Sequence, residues 1–222
     1  MVKVCIIAGT NSEQSLCVKA VNGVIKEIEA TYKISKKFFQ IIEYLVMDCT
    51  GCKLCFKTRK CPLDQLDAMN KIKNAMKSSD IIIWASPVYS NNVSGSMKNF
   101  IDRIRTYIYT MELEYKKGII ISTTNFSGSE NVNKYLAKIM FKCGINVVGV
   151  YTILDNEILN KKLFLSKISE IVDNILLNIN EDRLKEERKR YKLSLLDRFT
   201  KPNSYLIENF EGIIECWQNF NN

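Results

Sequence analysis

Four of the chain's eight cysteines, Cys49, Cys52, Cys55 and Cys61, lie in the run "MDCTGCKLCFKTRKCPLDQ", spaced C-x2-C-x2-C-x5-C and followed by Pro62. Three thiolates at two-residue gaps can wrap a compact cube of iron and sulfide, whereas structural zinc usually takes two pairs of ligands separated by a longer excursion. The ferredoxin run is related, but it ends x3-Cys-Pro and its fourth cysteine serves another cluster. Three chemistries stay open for the loop: a [4Fe–4S] cluster, a disulfide or free-thiol role, and zinc. Lys53, Lys57, Arg59 and Lys60 sit inside it, with Asp48 and Asp64 just outside. Beside an anionic cluster such cations raise its potential and steer an acidic electron carrier such as a ferredoxin; otherwise they keep a loop solvated.

The rest of the composition narrows the field. There is no histidine, which excludes Ser–His–Asp and Cys–His relays and removes the usual zinc, copper and non-haem iron ligand. Proton transfer would need a Tyr, a Lys, a carboxylate, a cofactor or water. The formal charge of +8 is spread along the chain with no recognition-helix or RNP-like motif, so no nucleic-acid partner is expected. No signal-like or membrane-spanning apolar run occurs, and the expectation is a soluble, cytoplasmic protein with no membrane span. In a reducing compartment eight cysteines do not make a structural disulfide framework. Cys5, Cys17, Cys143 and Cys216 read as small core hydrophobes.

The elements that must carry the loop alternate regularly. Apolar runs at residues 3–9, 38–46, 80–87, 117–123 and 145–153 read as strands, most of them short and rich in Ile and Val, as for strands buried on both faces. Helical spacing occupies 13–30, 66–78, 94–109 and 129–142, and a fifth helix begins near 160, with Phe164, Ile168, Ile171, Val172, Ile175 and Leu176 on one face. This predicts an α/β protein built on a doubly wound parallel sheet with right-handed crossovers. With 222 residues, one core plus an appendage is expected. From residue 181 the text turns strongly charged. Glu181 with Lys185 and Glu186 with Arg190 suit an exposed helix, and Lys201-Pro202-Asn203 reads as a break before a last short helix carrying Trp217. This segment caps the domain or serves as an oligomer arm.

Ligands of such sheets bind at the carboxyl ends of the strands. The loop after the first strand has neither the dinucleotide fingerprint nor a Walker A lysine. It offers Thr10, Asn11, Ser12 and Ser15 around a helix start, a site for a phosphate monoester, although Thr10-x-x-Glu13 is also a capping box. The third strand leaves through Pro87, with Val88, Tyr89, Ser90 and Asn91 as a surface on which a flat ring could rest.

"WASPVYSNNVSGSMKNFIDR" (84–103) resembles the flavodoxin-like NAD(P)H-dependent FMN reductase superfamily, in which a strand ending Ser-Pro-Val-Tyr precedes a helix reading Lys-x-Phe-x-Asp-Arg. Here that helix carries Lys98, Phe100, Asp102 and Arg103. The compact cysteine spacing just after the second strand resembles the iron–sulfur flavoproteins of that superfamily, whose four cysteines hold one [4Fe–4S] cluster near FMN. The resemblance spans roughly residues 1–180, a typical single-domain length. It implies a flavodoxin-like, five-stranded parallel sheet of order 2-1-3-4-5 with a C-terminal helical extension at 181–222. FMN is implied, with Thr10, Asn11, Ser12 and Ser15 near its phosphate. Pro87, Val88, Tyr89, Ser90, Asn91 and Asn92 would lie along the ring, with Thr123, Thr124, Asn125 and Gly128 on its other side. Family members often have an arginine in the phosphate loop; none stands here.

The resulting expectation is an FMN-dependent oxidoreductase. Its cluster, on Cys49, Cys52, Cys55 and Cys61, would pass electrons to FMN and on to a small-molecule acceptor. NAD(P)H is a candidate donor, ferredoxin a candidate partner and Tyr89 a candidate proton-delivering neighbour. The resemblance further implies a homodimer or homotetramer, and the aromatic stretch 105–115 reads as interface or core. Two alternatives stand beside it: a cluster-free NAD(P)H-dependent FMN or quinone reductase, and a non-catalytic zinc-bearing interaction module.

Overall fold

Four of the five apolar runs become strands close to where their composition puts them. In a computed structural model of the chain, which describes residues 1–10, 12 and 14–219, these are β1 (Val2–Ala8), β3 (Ile81–Tyr89), β5 (Lys117–Thr124) and β6 (Asn146–Leu154). With β2 (Ile34–Gln40) they form a parallel sheet of order β2-β1-β3-β5-β6. This is the expected flavodoxin-like order. A two-residue strand, β4 (Asn92–Val93), adds an antiparallel hairpin to the end of β3.

Alternation along β3 shows why the sheet is covered on both faces. Ile82 and Trp84 enter one core with Phe39, Met76 and Phe100, while Ile83 and Ala85 enter the other with Val21, Val24 and Ile171. The first face is covered by α3 (Met69–Ser78), α4 (Gly95–Arg103) and α6 (Ser129–Lys142), the second by α1 (Leu16–Thr31) and α8 (Lys161–Asn178). Trp84 meets Phe100, the motif phenylalanine, edge to face at 5.5 Å.

The second strand departs from expectation. It spans Ile34–Gln40 rather than 38–46, and Ile41–Tyr44 forms a 3-10 turn closed by Leu45 at φ 44°. The register explains the stop: β2 is an edge strand whose neighbour β1 ends at Ala8, opposite Gln40. An edge strand also tolerates the exposed Lys36 and Lys37 that hid its start. The first helix begins at Leu16, capped by Ser15, whose side chain accepts from the Cys17 amide. Thr10 is therefore not the cap. The predicted helix 94–109 is two pieces, α4 and α5 (Tyr107–Thr110).

The cysteine loop carries one short α-helix, α2 (Leu54–Thr58), followed by a 3-10 turn at Pro62–Gln65, and α7 (Asp155–Leu159) links β6 to α8. Beyond residue 181 come α9 (Lys185–Thr200), α10 (Ser204–Asn209) and α11 (Glu211–Gln218), so the last helix is split in two. Glu181 pairs with Arg183 and Arg190 with Glu187, in place of the expected i,i+4 partners. Leu195, Phe199, Ile213, Ile214 and Trp217 form a third core with Phe56 of α2 and Met111. The aromatic stretch joins it: Tyr109 packs edge-on to Phe56 at 5.4 Å, and its carbonyl accepts from Trp217 Nε1 at 2.7 Å. Cys5, Cys17 and Cys143 are buried as expected, but Cys216 is only half-buried, on a helix at the rim of that third core.

Candidate functional site

Three strand exits meet at the carboxyl edge of the sheet, tied by backbone and hydroxyl groups. The Gly9 amide donates to the Ala85 carbonyl at 2.8 Å. A Cβ on Gly9 would lie 2.3 Å from Met97 Cβ, so this exit can press against α4 only as glycine. Ser94 caps α4: its Oγ accepts from the Met97 amide at 3.2 Å and donates to the Gly9 carbonyl, and its own amide donates to Ser86 Oγ at 3.2 Å. Ser86 Oγ in turn donates to the Pro87 carbonyl at 2.9 Å.

The residues expected along a flat ring form a tight hairpin. Ser90 and Asn91 sit at φ 49° and 59° between the paired Tyr89 and Asn92, the two-residue turn that matches strand twist. Pro87 is buried, Val88 half-buried, and Tyr89, Ser90, Asn91 and Asn92 exposed. From the other side comes the exit of β5, where Thr123 and Thr124 are buried and Asn125 exposed. Thr124 Oγ1 donates to the Ser127 carbonyl at 2.8 Å and accepts from the Phe126 amide at 3.4 Å. Gly128, at φ 85°, closes the gap between the two exits: a Cβ there would be 2.6 Å from Asn91 Oδ1 and 2.8 Å from Val88 Cγ1.

At the exit of β1, Thr10 is buried and its Oγ1 accepts from the Ser12 amide at 3.4 Å, while Ser12 is exposed. Asn11 lies outside the described residues. Ser15 Oγ accepts from Cys17 N at 3.2 Å, which leaves its O–H free to donate. With the free amides that open the 16-residue α1, this suits an anion. One residue not singled out from sequence joins the edge: Gln40, opposite Ala8, is 2% exposed and its Nε2 has no partner. The sequence offers for it only a polar residue inside the apolar run 38–46; its burial without a partner is visible only in the fold.

The cysteine loop is built differently. Gly51, Lys53 and Arg59 adopt φ of 70°, 61° and 60°, and these left-handed turns on both sides of α2 curl the chain on itself. Cys49, Cys52, Cys55 and Cys61 all line one small cavity, together with Asp102, Arg103 and Arg105. Among the described residues no three Cys, Asp or Glu side chains stand close enough together to hold a single metal ion. The four cysteines thus share one cavity.

Burial pushes the Cys55 thiol up to about 11, against the opposing pull of Arg105. Cys52 is exposed, and hydrogen bonds from the Leu54 amide and Thr50 hold its thiol below the usual value. Arg105 also lies over the Phe56 ring, 4.6 Å from its centroid.

Arg103, noted from sequence only as part of a motif, closes the loop's neck. Its side chain is fully buried. Nη1 donates to the Met47 carbonyl at 2.6 Å and to Asp67 at 2.5 Å, and Nη2 to Asp64 at 3.0 Å. Asp67 also accepts from the amides of Met47 and Met69, each at 2.9 Å. Burial raises the Asp67 carboxyl, but Arg103 and these amides outweigh it and hold the group below its ordinary range. Asn99 Nδ2 donates to the Val46 carbonyl at 2.8 Å, so α4 grips the loop's entry twice. Arg103 Nε is buried with no partner, a loss of about 1–3 kcal/mol for a donor left unsatisfied.

The far side of the loop is held by Arg59, whose guanidinium reaches Glu112 at 2.6 Å; Glu112 also pairs with Lys77 at 2.6 Å. Lys98 and Asp102, the remaining motif residues, pair with each other at 2.6 Å.

Comparison with known proteins identifies the family. The family model described as NADPH-dependent FMN reductase matches residues 2–158. The chain is 27% identical to an iron–sulfur flavoprotein of Clostridioides difficile over 91% of its own length and 98% of the relative's. It is 32% identical to an iron–sulfur flavoprotein of Archaeoglobus fulgidus over 64% of each chain. Among solved structures, an FMN-dependent NADH-azoreductase of Bacillus anthracis in complex with FMN superimposes with a TM-score of 0.60 at 14% identity. That match covers 80% of this chain and 100% of the azoreductase, and it speaks to the fold.

Proposed function

The chain belongs to the NADPH-dependent FMN reductase family and is an FMN-dependent oxidoreductase; from that premise we propose that it also carries a [4Fe–4S] cluster on Cys49, Cys52, Cys55 and Cys61. Membership displaces the non-catalytic zinc module. One observation carries the cluster reading: the four cysteines line a single cavity together with Arg103, whose buried Nε–H lacks an acceptor. Four cysteines on one cavity suit a polynuclear group, and an anionic sulfur-rich one would give that N–H a partner. The names of both relatives support the same reading.

For FMN, the proposed phosphate seat is the start of α1, with Thr10, Asn11, Ser12 and the free O–H of Ser15. The buried Gln40 amide is a further donor at that edge. The proposed ring seat lies between the hairpin of Pro87 to Asn92 and the exit of Thr123, Thr124, Asn125 and Gly128. Pro87 and the Ser86–Ser94 network keep the hairpin side fixed, and Gly128 keeps the opposite side close. When bound, the two groups supply one- and two-electron exchange with a donor and a small-molecule acceptor. The chain's part is to hold, orient and shield them.

NAD(P)H is the proposed donor on family grounds. Exposed lysines around the loop suit an acidic carrier such as a ferredoxin. Tyr89 and Phe126 are 53% and 93% exposed beside the proposed ring seat. Large exposed aromatics at a cofactor edge support a homodimer or homotetramer that covers them. Among the described residues no helix is long and apolar enough to cross a membrane.

The test is an absorbance spectrum of protein purified without oxygen, with iron, acid-labile sulfide and flavin assayed on the same sample. Flavin bands with a broad brown shoulder and about four irons and four sulfides per chain are expected. Flavin without iron, even after reconstitution, would leave the cluster-free reductase as the reading.

A further inference from the structure

A guanidinium has five N–H donors, and four of those on Arg103 are accounted for by its surroundings. The two terminal nitrogens serve the Met47 carbonyl, Asp64 and both oxygens of Asp67, the last contact at 3.3 Å. Asp64 is shared with Lys73 at 2.6 Å. Two carboxylates therefore balance two cations at the neck, so the charge of Arg103 is spent locally. What remains is the Nε–H, buried and unpaired, on a residue that lines the four-cysteine cavity. Backbone and carboxylate acceptors already serve the rest of the fork, which leaves this donor to a group outside those contacts, and the cavity that Arg103 lines is the space beside it.

Resting on the reading that the loop holds an iron–sulfur cluster, we propose that Arg103 is a positioning residue for that cluster: its terminal nitrogens draw the two ends of the loop together, and its Nε–H donates to a sulfur of the bound group. Hydrogen bonds to sulfur stabilise the reduced, more negative form and raise the potential. Lysine cannot substitute, because one ammonium cannot span Met47, Asp64 and Asp67 and still present a fixed N–H on the cavity side. Arg105 is the internal comparison. It lines the same cavity but rests on the Phe56 ring, and it contributes charge rather than this donor.

Wild-type protein grown on nitrogen-15 arginine, purified without oxygen and reduced, should show a nitrogen-15 coupling to the cluster in electron–nuclear double resonance. The coupling should vanish in Arg103→Lys and persist in Arg105→Lys. At the wild-type midpoint potential, the reduced-to-oxidised ratio of the cluster in Arg103→Lys should fall about tenfold, equivalent to 59 mV for a one-electron couple. An iron-loaded wild type with no arginine coupling, or an unchanged potential in Arg103→Lys, overturns this inference while leaving the cluster reading intact. A wild type that takes up no iron after reconstitution overturns both. Should Arg103→Lys fail to fold, the coupling in nitrogen-15-labelled Arg105→Lys decides the question.

Discussion

The carboxyl edge of the sheet and the cysteine loop sit on one fold, but their contacts differ in reach and in kind. Neighbouring strand exits make up the edge, joined by uncharged groups: Gly9 to Ala85, Ser94 to Ser86 and Gly9, and the close approach of Gly128 to Asn91. The loop strays from the sheet and is recovered by distant side chains. Arg103 reaches back to Met47 and Asp67, Arg59 reaches forward to Glu112, and Phe56 stacks on Phe210 of the C-terminal segment at 4.6 Å. An edge made by the sheet itself persists when a remote contact is lost. A loop made of remote contacts does not, so the two proposed cofactor seats should fail separately.

Phe56→Ala is the strongest way to break that contrast. Phe56 is 2% exposed and meets Tyr109, Phe210 and the Arg105 guanidinium. Truncating such a ring costs about 3–5 kcal/mol, and the cost falls on the contact between α2 and the C-terminal helices. Iron per chain should drop several-fold while flavin per chain stays at the wild-type level. Flavin lost in parallel with iron would show that the two seats are one cooperative unit.

Ser94→Ala is the reciprocal test, with a smaller effect. It removes the α4 cap and the bond to Gly9, at about 1 kcal/mol as for other helix caps. FMN titration should show a Kd raised by up to about fivefold, the same free energy read as affinity. Iron content should not change. A larger loss of iron than of flavin would place Ser94 in the support of the loop.

The same division explains what the sequence could reveal. Strands β1, β3 and β5 announce themselves through runs buried on both faces, β6 at the far edge through a continuous Val- and Ile-rich run, and the exits that follow them inherit their positions. The spacing of Cys49, Cys52, Cys55 and Cys61 likewise carries its own geometry. β2 is harder to read because Ser35, Lys36 and Lys37 expose its first half, so the apolar signal begins only at Phe38 and runs on past the strand's end. Contacts between residues far apart in sequence leave no local pattern: nothing near Arg103 indicates Asp67, and nothing in the charged stretch 181–190 indicates that Leu195, Phe199 and Trp217 will cover Phe56. Gln40 escaped because its significance lies in having no partner, which only three-dimensional packing reveals.

Acid offers a milder way to separate the regions. Glu112 is pushed up by burial, but Lys77 and Arg59 outweigh this and hold it below its usual 4.5; Asp67 is held below 3.8. A carboxyl depressed in the folded state adds stability that is present above its unfolded pKa and is lost as pH falls through the folded value. Hydroxyl and backbone contacts at the edge do not titrate in that range. With cluster-free protein taken below about pH 4, hydrogen exchange should rise in residues 47–67 before residues 85–97. Glu112→Gln should shift the onset. Simultaneous exposure of both segments would remove the distinction.

The smallest effect is a rate order within the loop. Alkylation requires the thiolate, and in cluster-free protein at pH 8 Cys52 is both exposed and depressed, whereas burial holds Cys55 at about 11. Cys5 and Cys17, each pushed up to about 12 by burial, should stay silent in the folded state. Peptide mapping after brief iodoacetamide treatment should find Cys52 modified first and Cys55 well behind it. Loading the cluster should protect both, because a ligated thiolate is no longer a free nucleophile. Equal rates at Cys52 and Cys55 would mean that the loop opens faster than it reacts, so that the remote contacts of Arg103, Arg59 and Phe56 hold it shut only once the cavity is filled.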